Sequence, residues 1–351
     1  MRFIFIFSFL LGLFSLPLCA QPGDLYGHHV LNHPSLGRIE YHVDTVNAWA
    51  RQPLLLWLDG SGCLPIRMVF SDGKDCCLYV NSGMIDEDSL ARHYHLVLIS
   101  KPGVPYREPD TIRVPDYATF SLSDYLERER SGPRCGTYFN QRNSLTWRAG
   151  AGAAVLDVLL AKKLVPVDPK RVLVAGHSEG APVAAKIATL SRFVTHVGCF
   201  AGPGLTQFYD FVLDARLKAR TGELSPEAAQ ARLDTLLTTV RAIMAQPGAT
   251  DRFWEGHTYK RWASYAEPMA DNLLKLTIPV YVAVGTADKN TLAENADLLP
   301  VLFAQRRKNN LTYRACLACD HWFNDTRPGN SHGSGHHWTT YFNEFLRIAT
   351  P

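Results

Sequence analysis

The chain has 351 residues, of which 20% are charged and 46% hydrophobic, with a formal net charge of +3 at pH 7. This is the composition of a globular protein with a sizeable core, and it excludes a disordered chain. So small an excess of charge on so long a chain gives no electrostatic footprint for nucleic acid or for a membrane surface.

Residues 1–20 read as an export signal. Arg2 supplies the positive start, Phe3 to Leu18 is mostly apolar, and Leu18-Cys19-Ala20 offers a cleavage site before Gln21. The run is short for a membrane span and no basic stop follows it. The expectation is a periplasmic or extracellular protein with no stable membrane association after cleavage. Leu18 stands where lipid attachment at Cys19 would want a small residue. With Cys19 removed, Cys63, Cys76, Cys77, Cys135, Cys199, Cys316 and Cys319 remain. In an oxidising compartment they predict up to three disulfides and a leftover thiol. The adjacent Cys76 and Cys77 reach for partners elsewhere, with Cys63 and Cys135 as candidates. Cys316-x-x-Cys319 runs from a strand into a loop, which favours packing or a disulfide over metal.

Short β-rich runs follow in chain order at Arg38–Thr45, Pro53–Leu58, His95–Ser100, Arg171–Ala175, Thr195–Phe200, Pro279–Val284 and Leu311–Leu317. Several are apolar without interruption, as strands buried on both faces are. Helical stretches alternate with them at Arg148–Lys163, Ala181–Ser191, Leu292–Arg307 and Trp338–Ile348. This alternation predicts a mostly parallel central sheet with helices on both faces. Lys101–Leu145 lacks periodicity and reads as a long surface excursion. Residues 204–276 are helical instead, with amphipathic runs at Tyr209–Arg220 and Ser225–Met244, then the aromatics Phe253, Trp254, Tyr259, Trp262 and Tyr265. That segment predicts a helical cap, with residues 21–203 and 277–351 forming the core. Its aromatics suit cap packing first and a substrate pocket second, with Trp262 and Tyr265 the candidates to touch substrate.

Gly176-His177-Ser178-Glu179-Gly180 matches G-x-S-x-G, as does Gly329-Asn330-Ser331-His332-Gly333. Only the first follows a strand directly and opens a helix, so Ser178 is the candidate nucleophile and Ser331 a decoy. A strand-to-helix elbow holds serine in a strained conformation, and side chains two residues either side would collide. With this motif and the surrounding run 166–180, nearly all of the mature chain resembles the α/β-hydrolase superfamily. The resemblance implies the α/β-hydrolase fold, an inserted cap and the chain order nucleophile, acid, histidine. Asp288, after the strand Pro279–Val284, then stands at the acid, and His321, after Leu311–Leu317, at the histidine. Asp320 is a poorer acid because it adjoins His321. The resemblance further implies an oxyanion hole of backbone N–H groups from Glu179 and from the loop Asp59-Gly60-Ser61-Gly62. Ser61 is the first choice there and Gly62 the second. Many relatives have His-Gly where this chain has Asp59-Gly60. His177 and Glu179 occupy the variable elbow positions and line the turn or touch substrate.

The implied chemistry is acyl transfer by a serine hydrolase on a small-molecule or peptide substrate, with no cofactor. A carboxylic ester is the first choice. A peptide, as in prolyl-oligopeptidase-like relatives, is the second, and a non-catalytic binding protein of the same fold the third. His332, His336 and His337 show no metal-ligand spacing, so no metal site is expected.

Overall fold

The computed structural model describes residues 27–47, 49–63, 65–69, 75–77, 87–106, 136–163, 165–329 and 336–349. The expected export signal, Cys135, Ser331, His332 and most of the excursion after Lys101 lie outside the described residues. In chain order the strands are β1 (Gly27–His33), β2 (Gly37–Asp44), β3 (Gln52–Leu58), β4 (Arg67–Val69), β5 (Asp75–Cys77), β6 (His95–Ile99), β7 (Val167–His177), β8 (His196–Phe200), β9 (Phe253–Trp254), β10 (His257–Thr258), β11 (Val280–Gly285) and β12 (Leu311–Cys316). The helices are α1 (Glu87–His93), α2 (Thr137–Arg142), α3 (Leu145–Leu156, continued by a π-turn over Asp157–Ala161), α4 (Gly180–Leu190), α5 (Gln207–Arg220), α6 (Pro226–Ala245), α7 (Tyr259–Ser264), α8 (Met269–Leu273), α9 (Ala293–Ala296), α10 (Leu298–Gln305) and α11 (Trp338–Ile348).

Eight strands form one sheet in the order β1-β2-β6-β3-β7-β8-β11-β12. β1 with β2 and β2 with β6 are antiparallel, and every pair from β6 to β12 is parallel. β3, β6 and β11 are apolar at nearly every position because both faces are covered. Alternate residues of β3 show it: Leu54, Leu56 and Leu58 enter a core with α3, α4 and α8, while Leu55 and Trp57 enter the opposite core with α1 and α11. Each buried leucine contributes on the order of 1.5–3 kcal/mol. The helix expected over Leu292–Arg307 is two helices. Pro300 has no N–H for the Ala296 carbonyl and its ring crowds that turn, so α9 ends at Ala296 and α10 begins afresh.

Between β8 and β11 lie α5 to α8 and the small β9–β10 hairpin. α5 and α6 pack on each other through Ala215, Leu233 and Leu236. Ser225 caps α6 by accepting from the Ala228 N–H at 3.1 Å, with Pro226 opening the helix. Asp210 of α5 ties this segment to the chain after β11. Its Oδ1 accepts from the Leu292 N–H (3.0 Å) and from Asn295 Nδ2 (2.9 Å), while the buried Oδ2 has no hydrogen-bond partner among the described residues. Burial, with smaller contributions from the carboxylates of Asp288 and Glu294, pushes the Asp210 carboxyl up to about 7 against the bonds from Asn295 and Leu292. A carboxyl raised on folding favours the folded state below its ordinary value of 3.8 and loses that advantage as pH rises through about 7. Asp210→Asn keeps the accepting oxygen and removes the buried charge. It should match the wild type in stability near pH 4 and exceed it by roughly 2–4 kcal/mol at pH 8 in urea unfolding. A gap that stays constant with pH would contradict this.

Cys316 and Cys319 form a disulfide, Cys63 is disulfide-bonded as well, and Cys199 is a buried free thiol. Burial raises the Cys199 thiol to about 12, so it is inert until the chain opens. Non-reducing peptide mapping of protein purified without reductant should find Cys316 linked to Cys319, and Cys199 alkylated only after unfolding. Free Cys316 and Cys319 in such protein would refute the assignment.

Candidate active site

The parallel strands all end at one edge of the sheet, the edge where open α/β sheets bind ligands. Lys101 follows β6, Asp59 follows β3, Ser178 follows β7, Asp288 lies just beyond β11 and His321 just beyond β12. Strand order therefore brings together residues that are far apart in sequence.

Ser178 sits between β7 and α4 at φ 55°, a conformation that strains any residue with a side chain. The residues two positions to either side must be glycine. A Cβ on Gly176 would lie 2.2 Å from the Gly180 carbonyl oxygen, and one on Gly180 would lie 2.2 Å from the Leu58 carbonyl oxygen. Ser178 is half-buried, at the start of α4. The loop after β3 passes alongside, for a Cβ on Gly60 would be 3.3 Å from Ser178 Cβ. Among the described residues no backbone carbonyl accepts from the N–H of Ser61 or of Glu179.

His321 Nδ1 lies 2.7 Å from Asp288 Oδ2, and both side chains are buried. Since a carboxylate only accepts, Nδ1 carries the proton and Nε2 is left as the acceptor. The other Asp288 oxygen accepts from the N–H groups of Asn290 (2.7 Å) and Thr291 (3.1 Å). Burial alone would raise the Asp288 carboxyl, but the His321 hydrogen bond and charge, aided by Thr291, hold it below the usual carboxylate range. His177, immediately before Ser178, fixes the other side of His321. Its Nε2–H donates to the His321 carbonyl at 2.9 Å, and its ring stacks on Trp322 at 4.9 Å. Burial, reinforced by the nearby His321, lowers the His177 imidazole to about 3, so it stays neutral near pH 7. Asp320 turns the other way and caps its own loop, accepting from the Trp322 and Asn324 N–H groups. His336 Nδ1 bonds Asn324 Oδ1 at 2.9 Å, and His337 lies 4.0 Å from Asp325.

Beneath this edge lies a buried network of charges. Glu179 is 1% exposed. Its carboxylate takes Arg148 Nη1 at 3.0 Å, the Tyr265 hydroxyl at 3.0 Å, and Arg261 through both Nε and Nη2. Burial would raise the Glu179 carboxyl, but Arg261, Arg148 and Lys101 hold it far below its ordinary value. Arg148 continues to Asp59 Oδ1 at 2.7 Å, and Lys101 completes an ion pair with Asp59. Arg261 belongs to α7, so the helical segment is fastened to the elbow itself. Among the described residues no three or more His, Cys, Asp or Glu side chains are arranged to hold a metal ion.

Trp262 and Tyr265, the aromatics singled out for substrate, are 3% and 5% exposed. Trp262 donates to the Trp254 carbonyl at 2.7 Å, and both rings lie beneath the Arg261 guanidinium. Their bulk goes into packing and, for Tyr265, into the Glu179 network. Sequence reasoning missed Lys101, Arg148 and Arg261. The signal was there in Arg148 and Lys101, each a lone cation beside an otherwise apolar run.

The family model for the alpha/beta hydrolase family matches residues 82–330, well over half of the chain. The chain belongs to this family. No curated protein matches it. Among solved structures, a protein described as a dipeptidyl aminopeptidase IV from Bacteroides ovatus is 9% identical with a TM-score of 0.51, over 92% of this chain and 35% of that one. The uncomplexed acylaminoacyl peptidase from Pyrococcus horikoshii is 10% identical with a TM-score of 0.50, over 92% of this chain and 40% of that one. A lipase-esterase related protein from Clostridium acetobutylicum is 14% identical with a TM-score of 0.43, over 89% of this chain and 96% of that one. The hydrolase chain thus spans about two-fifths of one peptidase and about a third of the other. At these identities the likeness is one of fold. Among the described residues no helix is long and apolar enough to cross a membrane.

Proposed function

We propose that this alpha/beta hydrolase is an exported serine hydrolase that cleaves a carboxylic ester through an acyl-enzyme. One observation carries the reading: His321 is held at 2.7 Å by Asp288 beside an elbow that presents Ser178 at φ 55°. Ser178 Oγ attacks the ester carbonyl while its proton passes to His321 Nε2. The tetrahedral oxyanion is met by the N–H groups of Glu179 and Ser61, each worth about 3 kcal/mol in comparable sites. Collapse expels the alcohol, which takes the proton from His321. Water, deprotonated by the same imidazole, then attacks the acyl-enzyme, and the carboxylic acid departs with Ser178 restored. Asp288 holds the imidazole tautomer and balances the cation in both steps. The helical segment between β8 and β11 is a cap over the site, fixed by Arg261 and Asp210. Export is supported by the apolar N-terminal run and by the disulfides of Cys63 and of Cys316 with Cys319.

A panel of p-nitrophenyl esters and aminoacyl-nitroanilides tests the substrate class. Esters of graded acyl length should turn over at least tenfold faster per kcat/KM than every anilide. Faster cleavage of an anilide would replace the ester by a peptide. No turnover of either, from folded protein, would favour a binding protein on this fold.

A further inference from the structure

The loop after β3 is gripped by cations from beneath. Arg148 Nη2 donates to the Asp59 carbonyl at 2.8 Å as well as to its carboxylate, and Nη1 reaches the Gly60 carbonyl at 3.5 Å as well as Glu179 at 3.0 Å. Lys101 Nζ donates to the Gly62 carbonyl at 2.7 Å. Arg148 and Lys101 are 4% and 3% exposed. An ion pair needs only the carboxylates, whereas these two cations also take three backbone oxygens of the loop beside Ser178, at 59, 60 and 62. In a planar trans peptide the carbonyl and the following N–H point in opposite directions. Among the described residues no peptide is cis. Drawing the Gly60 carbonyl down towards Arg148 therefore turns the Ser61 N–H up, on the side away from the network. The same guanidinium holds the side chain of Glu179, the residue directly after Ser178.

We propose that Arg148, assisted by Lys101, is the positioning residue that sets the oxyanion hole, one guanidinium fixing the segments that carry both N–H donors. This rests on the acyl-transfer reading above. It also gives the Asp59 side chain a role, because the carboxylate pairs with both cations at the base of the loop. Five donors in a rigid fork serve acceptors on two segments at once, which a lysine ammonium cannot span.

The test compares wild type, Arg148→Lys and Lys101→Met on an ester and on its thionoester. Sulfur is a poor acceptor in a hole built for oxygen, so the oxo-to-thiono rate ratio reports the hole directly. Arg148→Lys should lower kcat about 100-fold, the loss seen when one donor is removed, with KM within about threefold. Its oxo-to-thiono ratio should fall by about tenfold or more. Lys101→Met should shift kcat and the ratio in the same direction by less, and it decides alone if Arg148→Lys does not fold. Folded variants with an unchanged ratio overturn the proposal, whatever happens to their stability. A wild type that turns over no ester overturns the acyl-transfer reading and this proposal with it, whereas an active wild type beside unaltered variants overturns this proposal alone.

Discussion

His321→Ala should lower kcat on the best ester by about four to six orders of magnitude while leaving the fold and KM nearly unchanged. The size follows from the geometry. His321 is the base in the proposed reaction, and it is held from two sides, its ring by Asp288 at 2.7 Å and its backbone carbonyl by His177 at 2.9 Å. Asp288→Asn should cost about 10⁴-fold, because the amide offers an N–H where Nδ1–H must donate and so favours the wrong tautomer. His336→Ala with His337→Ala should retain most activity, since those rings are engaged with Asn324 and Asp325. Steady-state kinetics on purified variants, with circular dichroism to verify folding, decide it. A folded, inactive double variant beside an active His321→Ala would move the base elsewhere.

The second large effect is on stability. Glu179→Ala should destabilise the protein by about 3–5 kcal/mol, because it leaves Arg261 and part of Arg148 buried and uncompensated. Against a typical total of about 5–15 kcal/mol, that is enough to unfold a good share of the molecules on mild heating. Urea unfolding should show the midpoint falling steeply. The ion pair of Lys218 with Asp214 makes the control, for its side chains are 36% and 40% exposed. Removing it by Asp214→Ala should cost under about 0.5 kcal/mol. Equal losses in the two variants would show that burial of the Glu179 network is not what matters.

Much of this was legible in the sequence, for identifiable reasons. The seven strands expected from Arg38 onward are strands in the structure, and the continuous apolar runs among them mark β3, β6 and β11 as strands covered on both faces. Asp288 and His321 were singled out by their place after particular strands, and their side chains lie 2.7 Å apart. β1 was missed because Gly-His-His-Val-Leu-Asn-His carries a weak pattern, fitting an edge strand whose residues alternate between exposed and half-buried. The charged network was missed for a different reason. Asp59 and Glu179 were read for their backbone in the oxyanion loop and the elbow, Arg148, Arg261 and Lys101 were given no role, and only the tertiary fold shows which charges satisfy one another. Tyr265 belongs with them, since nothing in the one-dimensional pattern tells an aromatic that faces substrate from one that donates to a buried carboxylate.

The central claim is that Ser178 is the activated nucleophile, and covalent labelling with a fluorophosphonate followed by peptide mapping tests it most directly. The account predicts one adduct per chain, on Ser178, and no adduct in folded Ser178→Ala, while Ser331→Ala labels like the wild type. Failure of the folded wild type to label, or an adduct on Ser331 that persists in Ser178→Ala, would contradict it.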